Sequence, residues 1–415
     1  MTYVVHFAEV ALKGKNRPEF MKLLRRNISN SLVRFNPLVQ HADGRFLVTA
    51  RGDSLELESG LSKVFGVAWF ARAAVVSRDY QSISSAVLSE ASSDRRTSFK
   101  IQARRSDKAF PMTSQELASK LGAEVAAVSG MKVDLSEPEL TIHADVAASK
   151  AFVYSSKRKG LGGLPVGCAG RVIHLFSGGI DSPPAAWLLM KRGARPVYLH
   201  FYLAPTPQYA IESKVPELVR ILSQYGGKST LILVPFAEYQ ASTLDAPGDF
   251  EPSLFRRFMR LTAEKVAPLF GASALSTGDS LSQAASQTIW NLAAFDRGSS
   301  LPILRPLLTY DKEEVISLAK SIGTYDVSLE EYKDCCSIVT RHPRTRTNPD
   351  SIDELARRFE FDALSDRSLK EGTVVAHDPS DGRTRVVPLA DIASKRARSE
   401  SDEEAPVVAP ALNDP

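Results

Sequence analysis

Apolar positions recur along the chain in three successive styles, and each predicts a different module. Residues 3–9 alternate weakly, residues 18–33 carry Phe20, Leu23, Leu24, Ile28 and Leu32 on one helical face, and residues 45–50 and 68–76 alternate again. Those faces bury best in a compact, ferredoxin-like arrangement. A second set follows. Residues 99–105 read as a strand with a strongly basic end, residues 113–129 as a helix, and 133–135, 140–146 and 151–157 as strands. Thr113-Ser114-Gln115-Glu116 supplies the helix start, because a threonine and a glutamate three residues on can cap each other's backbone. Gly160-Leu161-Gly162-Gly163-Leu164-Pro165 then reads as a flexible joint.

From residue 172 onward strands and helices take turns: strands at 172–176, 195–201, 229–234 and 274–277, and helices at 183–193, 215–225, 254–270, 281–292 and 312–322. Such alternation predicts a doubly wound parallel sheet with ligands at the carboxyl ends of its strands. Residues 371–415 mix Pro, Ser and Asp around one strand-like scrap, Arg385-Val386-Val387, and are expected to be a disordered tail. The expected fold is therefore multidomain, α+β then α/β, with modules at 1–60, 61–165 and 166–370.

The candidate chemistry lies in Ser177-Gly178-Gly179-Ile180-Asp181-Ser182, between a short apolar strand and a helix. Two glycines let a backbone approach an anion closely, and the helix start offers N–H groups to it. Ser177 and Ser182 add hydroxyls, and Asp181 is placed to meet a magnesium ion rather than phosphate. No Gly-Lys-Ser/Thr follows, which excludes a Walker A loop, and a third glycine for a dinucleotide fingerprint is missing. On spacing alone, an ordinary strand-to-helix turn competes evenly with a phosphate site.

Composition narrows the field modestly. The 415 residues are 43% apolar and 24% charged with a net charge of +4, so any claim about nucleic acid must rest on local clusters. No apolar run approaches the roughly 18–20 residues of a membrane span. Three cysteines, two of them adjacent, do not build a disulfide framework, and a cytoplasmic protein is expected.

The six-residue loop matches the signature of PP-loop ATP pyrophosphatases. Further motifs follow in order, among them Glu9 to Arg17, Arg104 to Pro111, Gly162 to Gly167, Arg256-Arg257-Phe258-Met259, Thr277-Gly278-Asp279-Ser280, Ala285-Ser286-Gln287-Thr288, Arg305-Pro306-Leu307 and Tyr332-Lys333-Asp334-Cys335-Cys336. Together they resemble the tRNA 4-thiouridine sulfurtransferases (the ThiI family), over nearly the whole chain to about residue 350. The resemblance implies a ferredoxin-like module, a THUMP RNA-binding domain and a PP-loop domain. It also implies adenylation of uridine O4 at tRNA position 8, followed by sulfur replacement. Leu175, Phe176, Ser177, Gly178, Gly179, Asp181, Ser182, His200, Phe201, Gly278, Gln287 and one of Arg256 or Arg257 would line ATP, with magnesium reaching Asp181 through the nucleotide. Cys336, or its neighbour Cys335, would join Asp181 in catalysis. Lys13, Lys15, Arg17, Arg104, Arg105, Lys108, Arg344 and Arg346 would contact tRNA, and a homodimer is a further expectation.

The persulfide cysteine of a rhodanese domain is not expected here, since no cysteine follows Cys336. Sulfur would then come from a cysteine desulfurase persulfide or from sulfide, with supply to the thiamine thiazole as a second role. Two other readings compete: a PP-loop enzyme adenylating another substrate, and a tRNA-binding protein with an inactive catalytic domain.

Overall fold

The computed structural model describes residues 1–12, 14–92, 96–203, 206–332 and 343–394. It separates into two units, residues 1–168 with 190–193, and residues 169–189 with 194–415.

The first unit holds two sheets. In one, β1 (Thr2–Phe7), β2 (Leu38–Ala42), β3 (Arg45–Thr49) and β4 (Val67–Arg72) run antiparallel in the order β4-β1-β3-β2. Helices Arg17–Ser31 and Ser54–Ser62 cover it, burying Leu24, Ile28, Leu57 and Leu61 against Tyr3, Val5, Val48 and Phe70. The second sheet runs β5 (Ala74–Val76), β6 (Ser98–Arg105), β7 (Lys132–Val133), β8 (Leu140–Val146) and β9 (Ala151–Tyr154) in the order β5-β9-β8-β6-β7. Helices Tyr80–Ser92 and Ser114–Ser129 pack on it. The predicted cap is present: Thr113 and Glu116 satisfy each other's backbone N–H groups. β10 (Arg158–Lys159) then returns to pair with β4. The first module accordingly runs on through Arg72, past the boundary expected at residue 60, because β4 is needed beside β1. Asp145 joins the sheets, accepting from Arg45 Nη1 at 3.1 Å and from Tyr154 Oη at 3.0 Å.

In the second unit, β11 (Arg171–Leu175), β12 (Arg195–Tyr202), β13 (Ser229–Pro235), β14 (Ala272–Ser276) and β15 (Ile303–Leu304) are parallel, in the order β15-β14-β11-β12-β13. Two expectations are corrected here. The stretch expected as a disordered tail from residue 371 contributes β16 (Thr373–Asp378) and β17 (Arg383–Pro388), which extend the sheet antiparallel from β13. Val374, Val375 and Leu389 are buried there, and Gly382 supplies the positive φ of the hairpin turn. Arginines on the outer strand hide that apolar pattern from a composition reading. Residues 395–415 lie outside the described residues. Second, the helix expected over 281–292 is broken. Ser282 sits at φ 64°, a single 3-10 turn covers Ala285–Gln287, and the α-helix starts at Ile289 behind a Thr288 cap.

Candidate nucleotide site and basic surfaces

β11 ends at Leu175 and helix Ser182–Lys191 begins seven positions later, so Phe176 to Asp181 form the connecting loop at the carboxyl edge of the sheet. Gly178 stands at φ 80°, and a Cβ there would meet Val215 Cγ2 at 2.9 Å. Only glycine suits that combination of conformation and close approach. Ser177 Oγ accepts from Gly179 N–H at 3.2 Å and lies 3.5 Å from Ser182 Oγ. Gly278, after β14, approaches the helix start so closely that a Cβ would stand 3.1 Å from Ser182 N. The two predicted glycine motifs are thus brought together.

Two buried histidines brace the loop. Burial pushes both imidazoles down to about 4, against the opposing pull of one backbone hydrogen bond each, so both are neutral. His174 donates from Nε2 to the Ser182 carbonyl at 2.9 Å, leaving Nδ1 to accept from Ser276 Oγ at 3.2 Å. His200 donates from Nδ1 to the Phe176 carbonyl at 2.8 Å and accepts at Nε2 from Tyr332 Oη at 3.0 Å. Tyr332 also stacks on Tyr209, with ring centroids 5.4 Å apart. Lys214, beside Gly178, donates to the carbonyls of Ser328 and Glu330.

Asp181 accepts from Lys312 Nζ at 2.7 Å on one oxygen and from Gln283 Nε2 at 2.9 Å on the other. Sequence reading missed both partners. Lys312 follows Asp311, whose side chain caps the helix Lys312–Ile322, so it reads as an ordinary first-turn residue. Gln283 lay inside the helix that does not form.

Several expected nucleotide residues are occupied otherwise. Phe201 packs in the core against Phe255 and Phe258, and Leu175 and Phe176 are buried too, so side-chain contact from these three is not what the site offers. Arg256 makes a two-pronged pair with Asp279 at 2.8 Å on each oxygen, and its guanidinium lies 4.6 Å over the Phe295 ring. Arg305 and Thr277 also donate to Asp279. Burial alone would raise that carboxyl; Arg256, Thr277 and Arg305 overcome it and hold it well below the usual carboxylate range. Arg257 is engaged by Asp353 and by the Arg297 carbonyl. Gln287 sits in the 3-10 turn with a buried Oε1 that has no hydrogen-bond partner.

The basic residues divide by what they already hold. In the first unit Lys15, Arg104 and Lys108 are exposed, whereas Arg17 lies 5.4 Å over the Phe7 ring. Arg105 donates to the carbonyls of Lys108, Phe110 and Met112, so it shapes the loop after β6. In the second unit Arg344 pairs with Asp249 over the Phe250 ring, and Arg346 lies 5.4 Å over the ring of Trp290. Lys13, Cys335 and Cys336 fall outside the described residues. Cys168 is the one described cysteine, and it is half-buried.

Comparison with known proteins gives three consecutive family matches: the ThiI ferredoxin-like domain over residues 2–71, the THUMP domain over 80–156, and the thiamine biosynthesis protein (ThiI) over 167–361. A probable tRNA sulfurtransferase of Caldanaerobacter subterraneus subsp. tengcongensis is 37% identical over 372 residues, covering 89% of this chain and 98% of that protein. One from Moorella thermoacetica is 38% identical over 347 residues, covering 83% and 89%. The crystal structure of a 4-thiouridine synthetase in complex with RNA, with ATP bound, superposes with a TM-score of 0.82 at 30% identity. It covers 93% of this chain and 99% of that one.

Proposed function

The chain belongs to the ThiI family of tRNA sulfurtransferases, and from that premise we propose that it uses ATP to turn uridine 8 of tRNA into 4-thiouridine. The observation that carries this reading is the glycine loop at the carboxyl edge of β11, with Asp181, Lys312 and the start of helix Ser182–Lys191 converging on it.

The chemistry asks for two displacements. Uridine O4 attacks the α-phosphorus of ATP and pyrophosphate leaves, which makes O4 part of a good leaving group. A sulfur nucleophile then attacks C4 and AMP departs. In a persulfide the sulfur arrives bonded to a second sulfur, so a thiol must also cleave that S–S bond and end in a disulfide. Backbone N–H groups near Gly178 and Gly179 suit the triphosphate, and Lys312 supplies positive charge beside Asp181. Among the described residues no cluster of three or more His, Cys, Asp or Glu could hold a metal. A lone carboxylate suits magnesium that takes most of its ligands from phosphate and water, and Asp181 would be its protein ligand. Bound there, the ion would neutralise phosphate charge. Exposed Lys15, Arg104 and Lys108 are assigned to tRNA phosphates, and Cys336 to the sulfur step.

The test is direct. Purified protein, an unmodified tRNA transcript, ATP and sulfide should give 4-thiouridine in digested nucleosides, with AMP released in equal amount. Asp181→Ala should lose AMP and pyrophosphate release while tRNA affinity stays nearly intact. Pyrophosphate release at the wild-type rate in that variant sinks the phosphate-loop assignment. AMP formation without tRNA dependence would favour a different substrate.

A further inference from the structure

We propose that Trp290, with Arg346 over its ring, is a stacking ledge for an RNA nucleobase, carried on the helix that follows the segment holding Asp181. The inference rests on the reading that tRNA is the substrate. Helix Ile289–Asp296 turns Asn291, Leu292, Ala294 and Phe295 inward. Its first two residues face outward instead: Ile289 is 66% exposed and Trp290 53% exposed. Tyr209 is also exposed in this unit, but its ring is already stacked on Tyr332.

Arg346 does not reach Trp290 by chance placement of a long side chain. The backbone on both sides of it is bolted to the helix that carries the tryptophan. Asn291 Nδ2 donates to the Arg344 carbonyl at 2.8 Å, and Asn291 Oδ1 accepts from Thr347 N–H at 2.9 Å. Thr288 Oγ1 donates to the Thr345 carbonyl at 2.6 Å. The same stretch of chain leads straight to the reaction centre: Ser282 N–H donates to the Gln287 carbonyl, and Gln283 holds Asp181.

Chemistry explains why such a ledge belongs here. A base whose O4 must meet the α-phosphorus has to leave its stack, and that loss is made up by a new aromatic or guanidinium partner. Tryptophan with an arginine is well suited, because every base has a π-face and the arginine adds charge toward the backbone.

The experiment uses the full chain and an unmodified tRNA transcript. Trp290→Ala should raise the KM for tRNA ~10-fold or more, leave the KM for ATP unchanged, and keep the thermal melting point, since the side chain is exposed. Trp290→Phe should restore most of the tRNA KM. Titrating tRNA into the wild type should quench tryptophan emission, and the active Trp290→Phe protein should lose that quench, with Trp69 and Trp187 remaining as background. Unchanged tRNA KM and quench in these variants overturn the ledge. So does a rise confined to the KM of a persulfide-donor protein, which would make the patch a protein-docking surface. A wild type that forms no 4-thiouridine removes the functional reading instead, and the tRNA quench then decides the ledge alone.

Discussion

His200 and His174 show what a single residue type does when its surroundings choose its proton. Each sits near the end of a parallel strand, donates to a backbone carbonyl at one end of the glycine loop and is held neutral by burial, about 4 rather than the ordinary value near 6.5. His6 and His143 in the first unit are pushed down to about 4 as well, again mainly by burial. The sign follows from linkage. The unfolded chain binds protons at these four positions below about 6.5, and the folded chain does not until about 4. Stability supplied by the neutral rings is therefore complete at pH 7 and declines as pH falls through that window. The melting temperature should drop between pH 7 and pH 5, and His200→Asn should shrink the drop; an equal drop in that variant would clear His200 of any part in it. Asp279 carries the opposite lesson. It is the anion between Arg256 and Arg305, all three nearly enclosed. Asp279→Asn would leave buried guanidinium groups facing a neutral amide, at a cost of ~3–5 kcal/mol, measurable by denaturant unfolding.

At the scale of elements, periodicity was informative wherever one face meets a core. The helix Arg17–Ser31 buries Leu24 and Ile28 from the face its spacing predicts, helices form where expected around Leu117 and Leu218, and the parallel strands around Ile173 and Leu199 are buried. The outer hairpin β16–β17 was not read as part of the sheet, because two arginines interrupt its second strand and only Arg385-Val386-Val387 looked strand-like. The break at Ser282 was equally hidden, since a positive φ at a non-glycine residue leaves no mark in the sequence. Glycine motifs marked the tight loop after β11, yet the partners of Asp181, Lys312 and Gln283, come from segments that carry no motif of their own. Contacts also separate arginines that look equivalent in sequence. Arg104 and Lys108 are exposed, while Arg105 closes the loop after β6 on three carbonyls. Replacing Arg104 and Lys108 by Ala should lower the slope of log affinity against log salt for tRNA by up to ~0.7–0.9 per lost phosphate contact. Arg105→Ala should instead lower the melting temperature. The same slope in the double variant would show that this face is merely solvated.

For the whole molecule, the sulfur step must be separable from both RNA capture and adenylation, because different residues are assigned to each. Cys335 and Cys336 lie between two anchored positions of the second unit. Tyr332 is held by His200, whose other nitrogen holds the Phe176 carbonyl just before the phosphate loop. Arg344 is held by Asp249 and by Asn291. By motif position, Cys336 is the thiol of the pair expected to serve. The expected behaviour of Cys336→Ser is specific. It should bind tRNA as the wild type does and should release pyrophosphate on adding ATP, since neither step uses a thiol. With a persulfide donor it should form no 4-thiouridine, because the thiol assigned to carry the sulfur or cleave its S–S bond is gone. With inorganic sulfide, which brings a nucleophile already reduced, product should appear at close to the wild-type rate. Asp181→Ala should fail with both donors, which distinguishes a lost adenylate from a lost thiol. If Cys336→Ser makes 4-thiouridine equally well from persulfide and sulfide, sulfur passes to the adenylate directly from outside, and Cys336 has no part in its transfer.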